Sequence, residues 1–143
     1  MSSDLKKLFH PESVAIVGAS QDESKSGGMF VSSLLNDGYK GVIYPINRRE
    51  SEIMSLKSYP GILDVPGQID LAVIATPAPG VPQIMTECAQ KGVKFAVVHS
   101  VGFSELGAEG RELERQMVEA ARRGGVRIVG PNCMGMFSPQ RPH

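Results

Sequence analysis

The apolar run SVAIVGAS ends on Gly18, Ala19 and Ser20, and the loop behind it, QDESKSGG, carries Lys25, Gly27 and Gly28. A glycine turn that opens into a helix offers free backbone N–H groups and the positive end of the helix dipole, a combination that favours an anion and above all a phosphate. Ser20 adds a hydroxyl donor and Lys25 a charge. The dinucleotide fingerprint demands G-x-G-x-x-G, and the longer loop from Gly18 to Gly27 departs from it. The turn therefore reads as anion chemistry of no fixed kind, with a plain polar βα turn as the competing reading.

A second cluster, YPINRRE, sets Asn47, Arg48 and Arg49 at the end of another apolar run. Sites for NAD usually place a carboxylate there to bind the ribose hydroxyls. Arginines suit instead a phosphate on the adenosine ribose, which NADP carries at the 2′ and coenzyme A at the 3′ position. Both ligands stay open, and so does a solvated helix start of mixed charge. TPAPG supplies Thr76, Pro77 and Ala78, a small stiff loop that either lines a flat ligand or simply turns the chain. HSVGFSELG supplies Ser100, the pliant Gly102 and Phe103, whose ring is expected to stack or pack beside a ligand.

Catalytic candidates are few. Cys133 in GPNCMG invites a nucleophile reading, but no histidine pairs with it in sequence, and a small structural cysteine is the better reading. Cys88, in mid-helix, reads as core, and His99, with no acid or nucleophile in its motif, as a core or supporting histidine. His10, His99 and His143 lack ligand spacing, so no metal is expected.

These residues need elements to hold them. Five short runs rich in β-branched residues read as strands: VAIVG at 14, GVIYPI at 41, DLAVIAT at 70, KFAVVHS at 94 and VRIVG at 126. Their apolar residues run on without alternation, as in a parallel sheet covered on both faces. Helices are expected from about Gly27 to Asn36 with Phe30, Leu34 and Leu35 inward, and from about Val81 to Gln90. A third is expected over EGRELERQMVEAARRGG with Leu113, Met117, Val118 and Ala121 inward, and a short one from about Ser51 to Met54. The order βαβαβαβαβ gives an α/β, doubly wound, Rossmann-like parallel sheet of about five strands in a single domain, with ligands at the carboxyl ends of the strands. Residues 1–138 form that domain, and 139–143 read as a linker or domain boundary.

Composition narrows the classes. Among 143 residues, 15 basic side chains balance 15 acidic ones, which excludes a general attraction to nucleic acid or an anionic membrane surface. Two cysteines without CxxC spacing argue against a disulfide framework and suit a cytoplasmic protein. No run approaches the roughly 18 apolar residues of a membrane span, and the N-terminus lacks an export-type apolar region.

Taken in order, the strand-end motifs resemble the CoA-binding domain of NDP-forming acyl-CoA synthetases and of the succinyl-CoA synthetase alpha subunit. LFHPESVAIVGAS is similar to that family's LF-x-P-x-SVAVIGAS, GVIYPINRR to G-x-IYPVNPK and VGPNCMG to GPNC-x-G, while KSGG and SYPGILDVPGQIDLAVIATPA also match in register. The resemblance implies a coenzyme A site, with Gly18, Ala19, Ser20 and Lys25 around the phosphates and Asn47, Arg48 and Arg49 at the nucleotide. It places Thr76, Pro77, Ala78, Ser100, Val101, Gly102 and Phe103 along the ligand, with Gly27 and Asn132 of the flanking motifs also in the site. Arg48 stands where the family usually has proline, and Val101 where alanine is usual. In complete ligases of this kind acyl-CoA forms through an acyl phosphate and a phosphohistidine borne by the next domain, so no catalytic residue is expected here. The partners implied are CoA or acyl-CoA and the remaining domains or subunit of a synthetase, with a homo-oligomer possible. A regulatory module that senses CoA or another nucleotide is the alternative, and an NADP-binding oxidoreductase fragment a weaker one, since no Tyr-x-x-x-Lys pair is present.

Overall fold

The computed structural model describes residues 3–100, 103 and 107–129. Its order is α1 (Ser3–Phe9), β1 (Ser13–Val17), α2 (Ser26–Asn36), β2 (Val42–Ile46), β3 (Glu52–Ile53), β4 (Leu56–Lys57), β5 (Leu71–Ile74), α3 (Val81–Lys91), β6 (Phe95–Val98), α4 (Ala108–Gly124) and β7 (Arg127–Val129). Short 3-10 turns cover Ile62–Asp64 and Ala78–Gly80. The main sheet has five strands in the order β2-β1-β5-β6-β7, all parallel. The expected doubly wound α/β sheet is therefore present.

Side chains along each strand alternate between two cores. Val14, Ile16, Leu71, Val73, Phe95 and Val97 meet Phe30, Val31 and Leu34 of α2 and Leu8 of α1 on one face. Ala15, Val17, Ala72, Ile74, Ala96 and Val98 meet Met85 and Cys88 of α3 and Met117, Ala120 and Ala121 of α4 on the other. Burial on both faces is why these strands lack polar alternation. Cys88 is fully buried, and desolvation pushes its thiol up to about 12, so it stays protonated at neutral pH. Among the described residues no helix is long and apolar enough to cross a membrane.

Two inward positions were misassigned by periodicity. Leu35 is 42% and Val118 38% exposed, because α2 turns Val31 inward and α4 turns Ala120 inward in their place. The expected helix at 51–54 is instead an antiparallel hairpin, β3 with β4, in the register Glu52 to Lys57 and Ile53 to Leu56. Ile53 is fully buried, and Met54 N–H donates to Gln21 Oε1 at 2.7 Å, so the hairpin tip leans on the loop after β1. The chain after the hairpin covers the sheet edge: Tyr59 N–H donates to Pro45 O and Asn47 N–H to Tyr59 O, each at 2.9 Å. Pro45 is tolerated because β2 is the edge strand.

The hairpin turn holds Met54 at φ 50° and Ser55 at φ 67°, a left-handed pair that favours glycine or asparagine. Met54 packs on the α2-side core, whereas Ser55 is exposed. Ser55→Gly is expected to raise stability by up to about 1 kcal/mol by removing backbone strain. Thermal unfolding reads this directly, and a midpoint at or below that of the parent chain would refute it.

At the other end of the sheet Asp70, immediately before β5, is 3% exposed. It accepts the Glu12 N–H at 2.9 Å and lies 3.3 Å from Lys7 Nζ, while its own N–H donates to Ser13 Oγ at 3.0 Å. This cluster ties α1 and the start of β1 to the sheet.

Candidate functional site

In the order β2-β1-β5 the chain leaves β1 in one direction for β2 and crosses back to β5, so the crevice outside the carboxyl ends of β1 and β5 is the topological switch point. The loops there, 18–25 and 75–80, flank an open cleft of about 1040 Å³. Gly18, Ala19, Ser20, Lys25, Asn47, Arg48, Arg49, Thr76 and Pro77 line it, so nine of the expected site residues converge from three separate strand ends.

Each has a distinct physical role. Gly18 holds φ +86°, and a Cβ there would lie 2.9 Å from Ala75 O and Thr76 Cγ2, so only glycine fits. The Gly18 and Ala19 N–H groups both donate to Ile46 O at 3.1 Å, which fastens the β1 turn to β2 and withdraws these two donors from a ligand. Asn47 completes the fastening. Its Nδ2 donates to Ala19 O at 2.8 Å, and its Oδ1 accepts the Arg49 and Glu50 N–H groups at 2.8 and 2.9 Å. Asn47 thus shapes the turn that presents Arg48 and Arg49, both exposed.

The donors available to an anion lie further along. Lys25 is the N-cap residue of α2 in an extended conformation, and no side chain caps the helix among the described residues. The first N–H groups of α2 therefore lack intrahelical partners and carry the positive end of the dipole. Ser20 Oγ accepts the Asp22 N–H at 3.0 Å, and Asp22 in turn accepts the Ser24 N–H and hydroxyl, bonds that hold its carboxyl below the usual range. Gly27 brings the helix in close: a Cβ would meet Gly18 O at 1.8 Å and Gly18 C at 2.6 Å. Its contribution is packing of helix on turn.

Thr76 presents a buried hydroxyl with no hydrogen-bond partner among the described residues, at the wall of the cleft. Such an orphan is rare unless something else satisfies it, and a ligand polar atom in the cleft would do so. Other expected residues form the floor. Ala78 is buried, and Ser100, also buried, donates its hydroxyl to Thr76 O, which braces the loop from below. Phe103 is a fully buried core residue on the α3 and α4 side. Its carbonyl lies where a Cβ on Gly110 would come within 1.5 Å, so the α4 start packs directly on it. Val101, Gly102, Asn132 and Cys133 lie outside the described residues.

The opposite wall escaped the sequence reading. Pro60 to Asp64, with Gln83, Ile84 and Glu87 of α3, complete the cleft and give it apolar surface beside two carboxylates. The paired Pro-Gly steps of SYPGILDVPGQ mark a turn-rich connection, but nothing local tells that it borders a cleft. Among the described residues no group of three or more His, Cys, Asp or Glu side chains is placed to hold a metal ion.

Comparison with known families decides what this geometry belongs to: the chain matches the CoA binding domain over residues 12–139. It is a member of that family. The CoA-binding domain here is 49% identical over 137 residues to acetate–CoA ligase [ADP-forming] II of Archaeoglobus fulgidus, a match covering 96% of this chain and 20% of that protein. It is 46% identical over 142 residues to the alpha subunit of acetate–CoA ligase [ADP-forming] I of Pyrococcus furiosus, covering 96% of this chain and 31% of the subunit. Among solved structures, the dinucleotide forming acetyl-coenzyme A synthetase 1 of Ca. Korarchaeum cryptofilum, in complex with phosphate and ADP, superposes with a TM-score of 0.88 at 46% identity over 94% of this chain and 28% of that one. The chain thus corresponds to one domain's length of much longer relatives.

Proposed function

We propose that this domain binds coenzyme A or acyl-CoA in the cleft at the β1–β5 crevice, as the CoA-binding part of an ADP-forming acyl-CoA synthetase. The observation that carries this reading is the convergence of Lys25, Arg48 and Arg49 with the uncapped start of α2 on one cleft. Coenzyme A carries its phosphates at two places: a pyrophosphate, which suits the first turn of α2 with Ser20 and Lys25, and a 3′-phosphate, which suits the arginines. The Thr76 hydroxyl would bond a polar atom of the ligand, and Ile62, Leu63 and Ile84 would cover its apolar surface. Acid–thiol ligation itself belongs to the remaining domains or a partner subunit. A cytoplasmic setting fits a ligand of central metabolism and a buried, protonated Cys88.

Calorimetric titration with CoA, dephospho-CoA and NADP tests the reading. CoA should bind best, and the double variant Arg48→Ala, Arg49→Ala should lose about tenfold or more in CoA affinity, the size of one or two charge-assisted hydrogen bonds, while dephospho-CoA binding stays nearly level. Equal affinity for CoA and dephospho-CoA in the parent chain would remove the arginines from the site. A preference for NADP, or silence with CoA, would overturn the function.

A further inference from the structure

We propose that His99 is a positioning residue that holds the phosphate-binding first turn of α2 through Ser26, an inference that rests on the CoA reading. His99 follows β6 directly, and its backbone N–H donates to Ile74 O at 2.9 Å, which continues the parallel pairing with β5 and fixes where the side chain starts. Its Nε2 lies 3.1 Å from Ser26 Oγ. Its ring meets the Phe30 ring edge-on, with centroids 5.1 Å apart and planes at 84°. Ser26 is the first residue of α2, and Phe30 stands one turn later on the same face. The half-buried imidazole therefore grips two successive turns of one helix from the sheet.

The grip matters because of what α2 lacks. Its N-cap is Lys25, whose side chain makes no capping bond, so the orientation of the first turn is set by tertiary contacts. These include the close approach of Gly27 to Gly18 and of Gly28 to Asp22, and His99 against Ser26. Neither His99 nor Ser26 is among the residues that line the cleft, whereas the adjoining Lys25 is, so the grip would reach a ligand through the first turn of α2. With the proton on Nε2, the imidazole donates to Ser26 Oγ and holds the first turn of α2 without using its free backbone N–H groups. A glutamine amide at this position supplies a similar donor, and alanine none.

The test is calorimetry with CoA on the full chain and on the variants His99→Ala, His99→Gln, Ser26→Ala and His99→Ala with Ser26→Ala, each with its melting temperature. His99→Ala and Ser26→Ala should each weaken CoA binding about tenfold, the double variant should be no weaker than either single one, and His99→Gln should regain most of the affinity. A parent chain that does not bind CoA would end the functional reading and this inference with it. A parent chain that binds, with losses that add up in the double variant or with glutamine no better than alanine, would overturn the positioning role alone. Should His99→Ala not fold, Ser26→Ala decides: unchanged CoA affinity there refutes the proposal.

Discussion

Gly27→Ala is expected to cost about 3 kcal/mol of stability and to abolish measurable CoA binding at the same time. The reason lies in what the added carbon would strike. A Cβ on Gly27 would sit 1.8 Å from Gly18 O and 3.0 Å from Ala19 Cα, all backbone, so no side-chain rotation relieves the clash. Either α2 moves off the β1 turn or the turn releases its two bonds to Ile46 O, and both displace the proposed phosphate site. For a domain of this size the melting temperature should fall by roughly 10 °C or more. Gly80→Ala serves as the control, since nothing lies within 4 Å of its would-be Cβ. It should stay within about 0.5 kcal/mol of the parent chain. A Gly27→Ala chain that melts like the parent and still binds CoA would show that the contact between helix and turn is not a constraint.

The second large effect is expected at Asp70, where the change strikes stability and spares the site. Asp70→Ala removes a buried carboxylate that accepts the Glu12 N–H and faces Lys7, and it should cost about 2–3 kcal/mol, the value of hydrogen bonds to a charged group. Asp70→Asn keeps the shape and one acceptor for Glu12, and because Lys7 is 37% exposed the lost ion pair is screened, so asparagine should cost less than alanine. Urea unfolding measures both. The cluster lies at the amino end of β5, across the sheet from the cleft, so the folded variants should titrate CoA as the parent does. Asp70→Ala within 1 kcal/mol of the parent would mean that α1 is not held through this carboxylate. The pair of experiments separates a glycine that serves both fold and site from an acid that serves the fold.

The three inner strands β1, β5 and β6 declare themselves because a strand buried on both faces must be an unbroken apolar run, and the turn glycine stands at the end of the first of them. Once the strands are parallel, right-handed crossovers leave few topologies, and the strand ends must gather along one edge. Lys25, Arg48, Arg49 and Thr76 share a cleft for that reason.

Other features follow from contacts between distant parts of the chain, which no local pattern carries. Residues 52–57 turn as a hairpin through Met54 and Ser55, neither of them a usual left-handed residue, because Ile53 gains burial against the α2-side core and Gln21 satisfies the Met54 N–H. Leu35 and Val118 fall at helical spacing yet face outward, since the apolar stripe of each helix is wider than the strip the sheet covers. Asn47 lines the cleft and also buckles the β1 and β2 turns together, through a bond spanning 28 positions in sequence. Phe103 is fully buried in the core on the α3 and α4 side, a placement that no local pattern carries. The sequence by itself determined which five strands form the main sheet and which charges stand at their ends, because those depend on local burial and residue type. Only the tertiary structure decided which of those side chains face the cleft, which brace it from beneath, and that Asp64 and Glu87 form its far wall, because those follow from how separate segments pack.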